Sequence, residues 1–249
     1  MRIPLPGGMI TPAQLAALSG AATEFGSGTM ELTARGDVEL PGITDATAIV
    51  PLLTQPGPNI VASPLSGRLG GNADVRPWVG ELDAAICAEP RLVDLGERFW
   101  FSLDDGSADV SGLGADVGVH VFEDGCALLL KGRDTGIRLA TEDVIRTLVA
   151  IALKSMPGVE LSATAFPART RPPIGWITQD DGRIALGAAV PLGILSARVA
   201  EFLAAIEAPL VITPWRSVLV CDLDEGVADV ALRVLAPLGL IFDENSSSL

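Results

Sequence analysis

The sequence is poor in the side chains that build disulfides and metal centres. Its 249 residues include no tyrosine, one histidine and three cysteines. Cys87, Cys126 and Cys221 are odd in number, far apart and outside any C-x-x-C pair. This spacing argues against a disulfide framework, and against a conventional zinc or iron–sulfur site held by this chain alone. His120 lies in an apolar-alternating run, which predicts a packed strand residue rather than a ligand.

Positive charge is also scarce. The 17 lysines and arginines face 31 acidic residues, which gives a net charge of −14. That balance disfavours binding to nucleic acid or to an anionic membrane, and the low aromatic content leaves few stacking platforms for bases. It does not exclude an anionic small ligand, because a local cluster of arginines can outweigh the overall charge. No uncharged apolar run is long enough to span a bilayer, and no basic segment leads an apolar core at the N-terminus. A cytoplasmic location is therefore expected.

The chain carries one supersecondary pattern twice. Residues 2–43 (the first copy) predict strand, helix and strand, with Thr11 as the helix cap. Residues 184–220 (the second copy) repeat the pattern. The same breaks and caps fall in step, at Pro6 and Pro191, Gly8 and Gly193, Thr11 and Ser196, and Thr33 and Thr213. Chance is the alternative, since such units are common, but self-similarity at this distance favours a duplicated half-domain.

The last strand of each copy is predicted to run unbroken, over residues 29–40 and 210–220. Between the copies, residues 117–122 and 127–130 predict a hairpin around a Glu-Asp-Gly turn. Strands and helices alternate without a strict βαβ rhythm, which indicates an α+β fold with largely antiparallel sheets. Two Asp-Asp-Gly sequences, beginning at Asp104 and Asp180, are predicted to be turns rather than catalytic pairs.

Three motifs carry a family resemblance: Pro6-Gly-Gly8, Thr33-Ala-Arg35 and NIVASPLSG at residues 59–67. With them the chain resembles the nitrite/sulfite reductase superfamily, and in particular its precorrin-3B synthase branch. Residues 173–176, 187–193 and 212–217 are also similar to that branch. The resemblance implies two ferredoxin-like half-domains related by a pseudo-twofold duplication, plus one nitrite/sulfite reductase-type α/β domain. The expected boundaries are 1–57 for the first half-domain, 58–160 for the tetrapyrrole-binding domain and 161–249 for the second half-domain.

The resemblance also implies an activity. The complete family member is an oxygen-dependent monooxygenase of cobalamin (corrin) biosynthesis, which hydroxylates precorrin-3A and closes a lactone. It is expected to hold a [4Fe–4S] cluster and iron, whereas this chain alone supports no cofactor. A partner chain or a further C-terminal domain would supply the cluster cysteines. Whether this chain is itself an enzyme stays open, and no catalytic residue is assigned.

A tetrapyrrole with many carboxylates calls for arginines that clamp carboxylates bidentately. The expected substrate-binding residues are Thr33, Arg35, Asn59, Arg98 and Arg216. Each has a structural alternative. Arg35 would be an exposed strand arginine paired with Asp37 or Glu39, Arg216 would cap a strand end, and Asn59 with Ser63 would satisfy turn backbone.

Two other functions remain open. The first is a fragment of a sirohaem-type nitrite or sulfite reductase. Pro58 and Trp100 count against it, because the family's reductases carry basic residues there. The second is a non-catalytic tetrapyrrole-binding module.

Overall fold

The structure is a computed structural model, and it describes residues 1–45, 47, 59–96, 98–154, 165–167 and 171–246. The chain divides into two compact units. Unit 1 contains Met1–Thr54 and Arg171–Leu249, and unit 2 contains Gln55–Thr170. The domain boundaries expected at residues 57/58 and 160/161 lie outside the described residues, so they stay predictions.

The described residues form fourteen strands and six α-helices. The strands are β1 (Arg2–Ile3), β2 (Met9–Ile10), β3 (Thr29–Leu32), β4 (Val38–Glu39), β5 (Asn59–Ala62), β6 (Trp100–Asp104), β7 (Val117–Phe122), β8 (Gly125–Leu130), β9 (Arg133–Leu139), β10 (Gly175–Thr178), β11 (Ile184–Ala189), β12 (Ile194–Ser196), β13 (Leu210–Ile212) and β14 (Ser217–Leu223). The helices are α1 (Pro12–Phe25), α2 (Arg76–Cys87), α3 (Pro90–Val93), α4 (Val144–Lys154), α5 (Ala197–Ala204) and α6 (Glu225–Leu235). The predicted α+β class is confirmed.

Unit 1 contains two sheets that exchange strands between the copies. One sheet has the order β1-β4-β3-β12, so its last strand comes from the second copy. The other has the order β10-β11-β14-β13-β2, so its last strand comes from the first copy. Both exchanged pairs are antiparallel, with Leu195 opposite Met30 and Leu210 opposite Ile10. The reciprocal pairing makes the duplicated halves one pseudo-twofold unit with a common apolar core.

The helices of unit 1 begin where the sequence predicts. The Thr11 hydroxyl accepts from the Gln14 amide at 3.2 Å, and the Gln14 side chain accepts from the Thr11 amide at 2.9 Å, which completes a capping box. Ser196 caps α5 in the same way, through Val199. The two helices pack against each other, and the buried Ser19 hydroxyl of α1 donates to the Ala197 carbonyl at 2.8 Å.

The two predicted long strands are wrong in the same way. Residues 29–40 divide into β3 and β4, and residues 210–220 divide between β13 and β14, so each copy ends in a hairpin. The backbone turns because Gly36 and Arg216 adopt positive φ angles of 74° and 56°, which a strand does not allow. Arg35 therefore lies in a turn rather than in mid-strand.

Unit 2 is built on one five-stranded sheet of order β5-β6-β7-β8-β9. β5, β6 and β7 run parallel, and the remaining pairs are antiparallel. The hairpin predicted around residues 123–125 is confirmed by the pairing of Phe122 with Gly125. α2 contacts β5, and α4 contacts β7. The parallel strands place Ser63, Asp104 and Asp105 at the carboxyl edge of the sheet, where ligands of open α/β sheets commonly bind.

None of the helices in the described part of the chain has both the length and the apolar character needed to cross a bilayer.

Candidate functional site

Two five-residue turns of unit 1 share one design. The Arg35 turn comprises residues 33–37, and the Arg216 turn comprises residues 213–217. Each is closed by its first amide, Thr33 donating to the Asp37 carbonyl at 3.0 Å and Thr213 to the Ser217 carbonyl at 2.9 Å. In each, the threonine hydroxyl accepts from the amide two residues on, at 3.2 Å for Arg35 and 3.3 Å for Trp215. Thr33 thus holds the backbone that presents Arg35.

Glycine corners bring the two turns together. The first corner is Pro6–Gly8 and the second is Pro191–Gly193. A methyl group on Gly8 would lie 2.0 Å from the Ile212 carbonyl oxygen, just before the Arg216 turn. One on Gly193 would lie 3.2 Å from the Leu32 carbonyl oxygen, just before the Arg35 turn. Each corner therefore packs on the hairpin of the other copy, and both turns lie at one end of unit 1.

Arg35 and Arg216 do not occupy equivalent positions of the two turns. Because both turns close between their first and fifth residues, Arg35 corresponds to Trp215, and Gly36 corresponds to Arg216. The fourth residue of each turn, Gly36 or Arg216, has a positive φ angle. Arg35 is half-buried, whereas Arg216 is exposed, and its side chain lies beside Gly193. The two guanidinium groups thus come from non-equivalent points of the scaffold.

The last residue of the Arg35 turn, Asp37, carries a buried carboxylate. Asp37 accepts from Arg2 Nε at 2.7 Å and from the Leu5 amide at 3.0 Å. Burial raises the pKa of Asp37, while Arg2, the Leu5 amide and Arg35 each lower it. The interaction between Arg35 and Asp37 agrees with the structural alternative for this arginine.

The predicted residues of unit 2 lie at the amino ends of the parallel strands. Asn59 begins β5, is buried and is paired with Trp100 of β6. Arg98 is exposed in the turn before β6. Ser63 lies at the opposite edge, about 13 Å away along β5 at the usual rise of a strand. Its hydroxyl donates to Asp109 at 2.6 Å and accepts from the Asp105 amide at 3.1 Å, so the predicted turn role fits.

The sequence interpretation missed a buried acidic cluster at the carboxyl edge. Asp104, Asp105 and Asp109 each place a carboxylate oxygen within 4.8 Å of the others, and all three are buried. Asp104 accepts four backbone N–H groups at 2.8–3.0 Å, from residues 106, 108, 110 and 111. His120 Nδ1 lies 3.2 Å from the same carboxylate. Asp104 therefore organises the loop that follows β6, a larger role than that of a simple turn residue.

The environment separates the pKa values within this cluster. Burial alone would raise the pKa of Asp104, but His120 and the loop amides outweigh it and lower that pKa. Burial, followed by the charge of Asp104, raises the pKa of Asp109 to about 6, against the hydrogen bond from Ser63. The hydrogen bonds to Asp104 saturate its oxygens, which favours a structural role over cation binding. His120 is buried against Phe122 and Phe166, as expected of a packed strand residue.

The cysteines do not fit an iron–sulfur cluster. Cys87 is exposed at the end of α2, Cys126 is buried in β8, and Cys221 is buried in β14 of the other unit. A [4Fe–4S] cluster needs four ligands, normally thiolates. Within the described ranges, the one group of three or more side chains arranged to hold a metal is the acidic cluster, which contains no cysteine.

Comparisons with known proteins agree with this architecture. Residues 1–49 match the family model described as the nitrite/sulfite reductase ferredoxin-like half domain. No curated protein matches the sequence. Among solved structures, the Mycobacterium tuberculosis NirA protein is similar, with a TM-score of 0.83 and 17% sequence identity. The similarity covers 98% of this chain and 57% of the NirA chain, so this chain spans little more than half of that protein. Residues 1–49 thus match the nitrite/sulfite reductase ferredoxin-like half domain, and the chain shares the fold of part of NirA.

Proposed function

We propose that this chain binds a polycarboxylate tetrapyrrole, as the substrate-positioning part of a precorrin-3B synthase-like protein of cobalamin biosynthesis. The observation that carries the proposal is the meeting of the Arg35 and Arg216 turns at one end of unit 1. The glycine corners hold both turns against the opposite copy. Two guanidinium groups on rigid turns suit a ligand with carboxylates on more than one side.

The role proposed for this chain is positioning. By family resemblance, the complete enzyme hydroxylates precorrin-3A with oxygen and closes a lactone. The redox chemistry would belong to a cluster and iron supplied by a further domain or a partner chain. Since the described residues do not fit that cluster, we assign this chain no redox step. Its own residues would bind the carboxylates and fix the orientation of the macrocycle.

A sirohaem-type nitrite or sulfite reductase is the second candidate. The half-domain match over residues 1–49 and the similarity to the NirA fold support it equally well. The sequence favours the first candidate, because Pro58 and Trp100 stand where the reductases that the chain resembles have basic residues. Both candidates require tetrapyrrole binding near the arginine turns.

The test is a binding titration with uroporphyrin III, an octacarboxylate, followed by porphyrin absorbance and tryptophan fluorescence. Arg35→Ala and Arg216→Ala should each raise the Kd by about 10- to 100-fold, because each removes a charge-assisted hydrogen-bonding group. Lysine at either position should restore only part of the affinity, since it cannot form the bidentate contact. Arg233→Ala is the matched control, because Arg233 is an exposed arginine of the same unit, paired with Asp229 on α6. Equal affinity in all these variants would contradict the proposal.

The second candidate has its own readout. Sirohaem binding, followed by a spectral change on adding nitrite or sulfite, would favour the reductase. Uroporphyrin binding with no anion-dependent change in the sirohaem spectrum would favour the precorrin-type function.

A further inference from the structure

The second copy places side chains where the first copy has glycine. The Pro6–Gly8 and Pro191–Gly193 corners have the same backbone, with the Gly8 amide donating to Leu5 at 2.7 Å and the Gly193 amide to Val190 at 2.8 Å. The middle residue has a φ of 64° at Gly7 and of 57° at Leu192. The same substitution occurs between Gly36 and Arg216 in the turns.

Leu192 combines two unfavourable features. A left-handed backbone is strained for any residue with a Cβ atom, and glycine in the first copy shows that the corner does not need one. The side chain is also 87% exposed, the highest value among the large hydrophobic side chains in the described part of the chain. Neither feature stabilises the fold. Strain retained at an exposed position points to a ligand contact.

Leu192 is adjacent to the arginine turns. The next residue is Gly193. A methyl group on Gly193 would lie 3.0 Å from the Cδ atom of Arg216 and 3.2 Å from the Leu32 carbonyl oxygen. Arg35 lies three residues beyond Leu32. The corner that carries this apolar side chain thus contacts the Arg216 side chain and the backbone just before the Arg35 turn. A tetrapyrrole offers the complementary chemistry, a flat apolar ring with carboxylates at its rim.

We propose that Leu192 is a ligand-positioning residue, whose side chain packs against the apolar ring of the tetrapyrrole while Arg35 and Arg216 engage its carboxylates. This inference rests on the function proposed above. Corresponding positions carry Gly7 and Leu192, Arg35 and Trp215, and Gly36 and Arg216. The scaffold is pseudo-symmetric, but its ligand-facing residues are not. One tetrapyrrole in one orientation is therefore expected per chain.

The test is Leu192→Gly in the full 249-residue chain. The variant copies the Gly7 corner, so its thermal midpoint should equal or exceed that of the wild type. The Kd for uroporphyrin III should rise at least fivefold, because the apolar contact is lost. Leu192→Asn tolerates the left-handed backbone and should weaken binding similarly, whereas Leu192→Met should keep most of the affinity. Val230→Ala, at a 60% exposed position on α6, is the control and should change neither quantity.

Any other result would contradict either the role of Leu192 or the proposed function. If the arginine variants weaken binding but Leu192→Gly does not, the role of Leu192 is wrong and the proposed function stands. If the wild type shows no saturable binding, both proposals fail. A lowered thermal midpoint in Leu192→Gly would make Leu192 a structural residue. A change from dimer to monomer at unchanged Kd would make it a contact between two copies of the chain.

Discussion

Two residues of the acidic cluster show how hydrogen bonds and neighbouring charges shift the pKa of a buried carboxyl group. Asp104 ends β6, Asp109 lies in the loop that follows, and both are buried, yet their pKa values move in opposite directions. Asp104 accepts four loop amides and lies beside His120. Asp109 accepts from Ser63 and faces the charge of Asp104. The carboxylate with more donors has its pKa lowered, whereas burial raises the pKa of Asp109 to about 6.

Asp109→Asn should therefore stabilise unit 2 at neutral pH. The pKa of Asp109 is about 6 in the folded protein, against a usual 3.8, so protonation of this carboxyl group at acid pH stabilises the fold. This stabilisation is lost as the pH rises through 6. Above pH 6 the free energy of unfolding is lower by roughly 1–3 kcal/mol. Asparagine avoids the cost and still accepts from Ser63. Urea unfolding between pH 4.5 and 8 should show a higher free energy of unfolding for the variant at pH 8 and a weaker dependence on pH.

Glu123→Gln is the control for this measurement, because Glu123 lies on an exposed turn of the same unit. A variant that is less stable than the wild type at pH 8 would show that the Asp109 charge supports the loop. The acidic cluster would then need a bound cation or another compensating group.

At the scale of elements, the glycine corners hold the two hairpins in place. The Gly8 corner admits no side chain, because a methyl group would overlap the Ile212 carbonyl. The contact joins the first copy to the second, so it supports the pseudo-twofold packing rather than a local turn. A substitution here should act on the whole of unit 1.

Gly8→Ala should lower the free energy of unfolding of unit 1 by at least about 2 kcal/mol, since it adds both strain and a clash with backbone. Gly20→Ala is the matched control. Gly20 lies in α1 with no neighbouring atom within 4 Å of an added methyl group. Alanine there should raise stability by about 0.5–1 kcal/mol. Denaturation followed by circular dichroism separates the two. If Gly8→Ala were as stable as the wild type, the backbone of the Pro6–Gly8 corner would have to shift to accommodate the methyl group.

Local signals predicted much of these elements. The caps at Thr11 and Ser196 need only their own neighbours, and the turn at residues 123–125 carries its own glycine. The first hairpin break was missed because alternation continues through residues 33–37. The second was missed because Arg216 adopts a backbone that glycine normally takes. The acidic cluster was missed since Ser63 and Asp109, 46 residues apart, meet only in the fold. Of the candidate site, the sequence singled out Thr33, Arg35 and Arg216, but not the turns that carry them or the one-residue offset between these turns.

At the scale of the whole molecule, unit 1 is assembled from the two ends of the chain. β2 pairs with β13, and β12 pairs with β3, so each half completes a sheet of the other. α1 and α5 pack together across the same boundary. Neither half retains its complete sheet without its counterpart.

The separate fragments Met1–Thr54 and Arg171–Leu249 should therefore be unfolded alone and fold when mixed. Circular dichroism and amide NMR dispersion would report the gain of structure at equimolar ratio. Gly8→Ala in the first fragment should prevent assembly, whereas Gly20→Ala should not. A cooperative thermal transition in either isolated fragment would contradict the interdependence.

The exchanged strands also set an order for synthesis on the ribosome. β4 ends at Glu39 and β12 ends at Ser196, so the first half emerges about 160 residues before the strand that completes its sheet. At ~5–20 residues per second, that interval lasts roughly 8–30 s. Unit 2 can fold during that time, while the apolar face of α1 and the edge of β3 stay uncovered. The nascent first half is thus the stage of biogenesis at which chaperone binding would matter most.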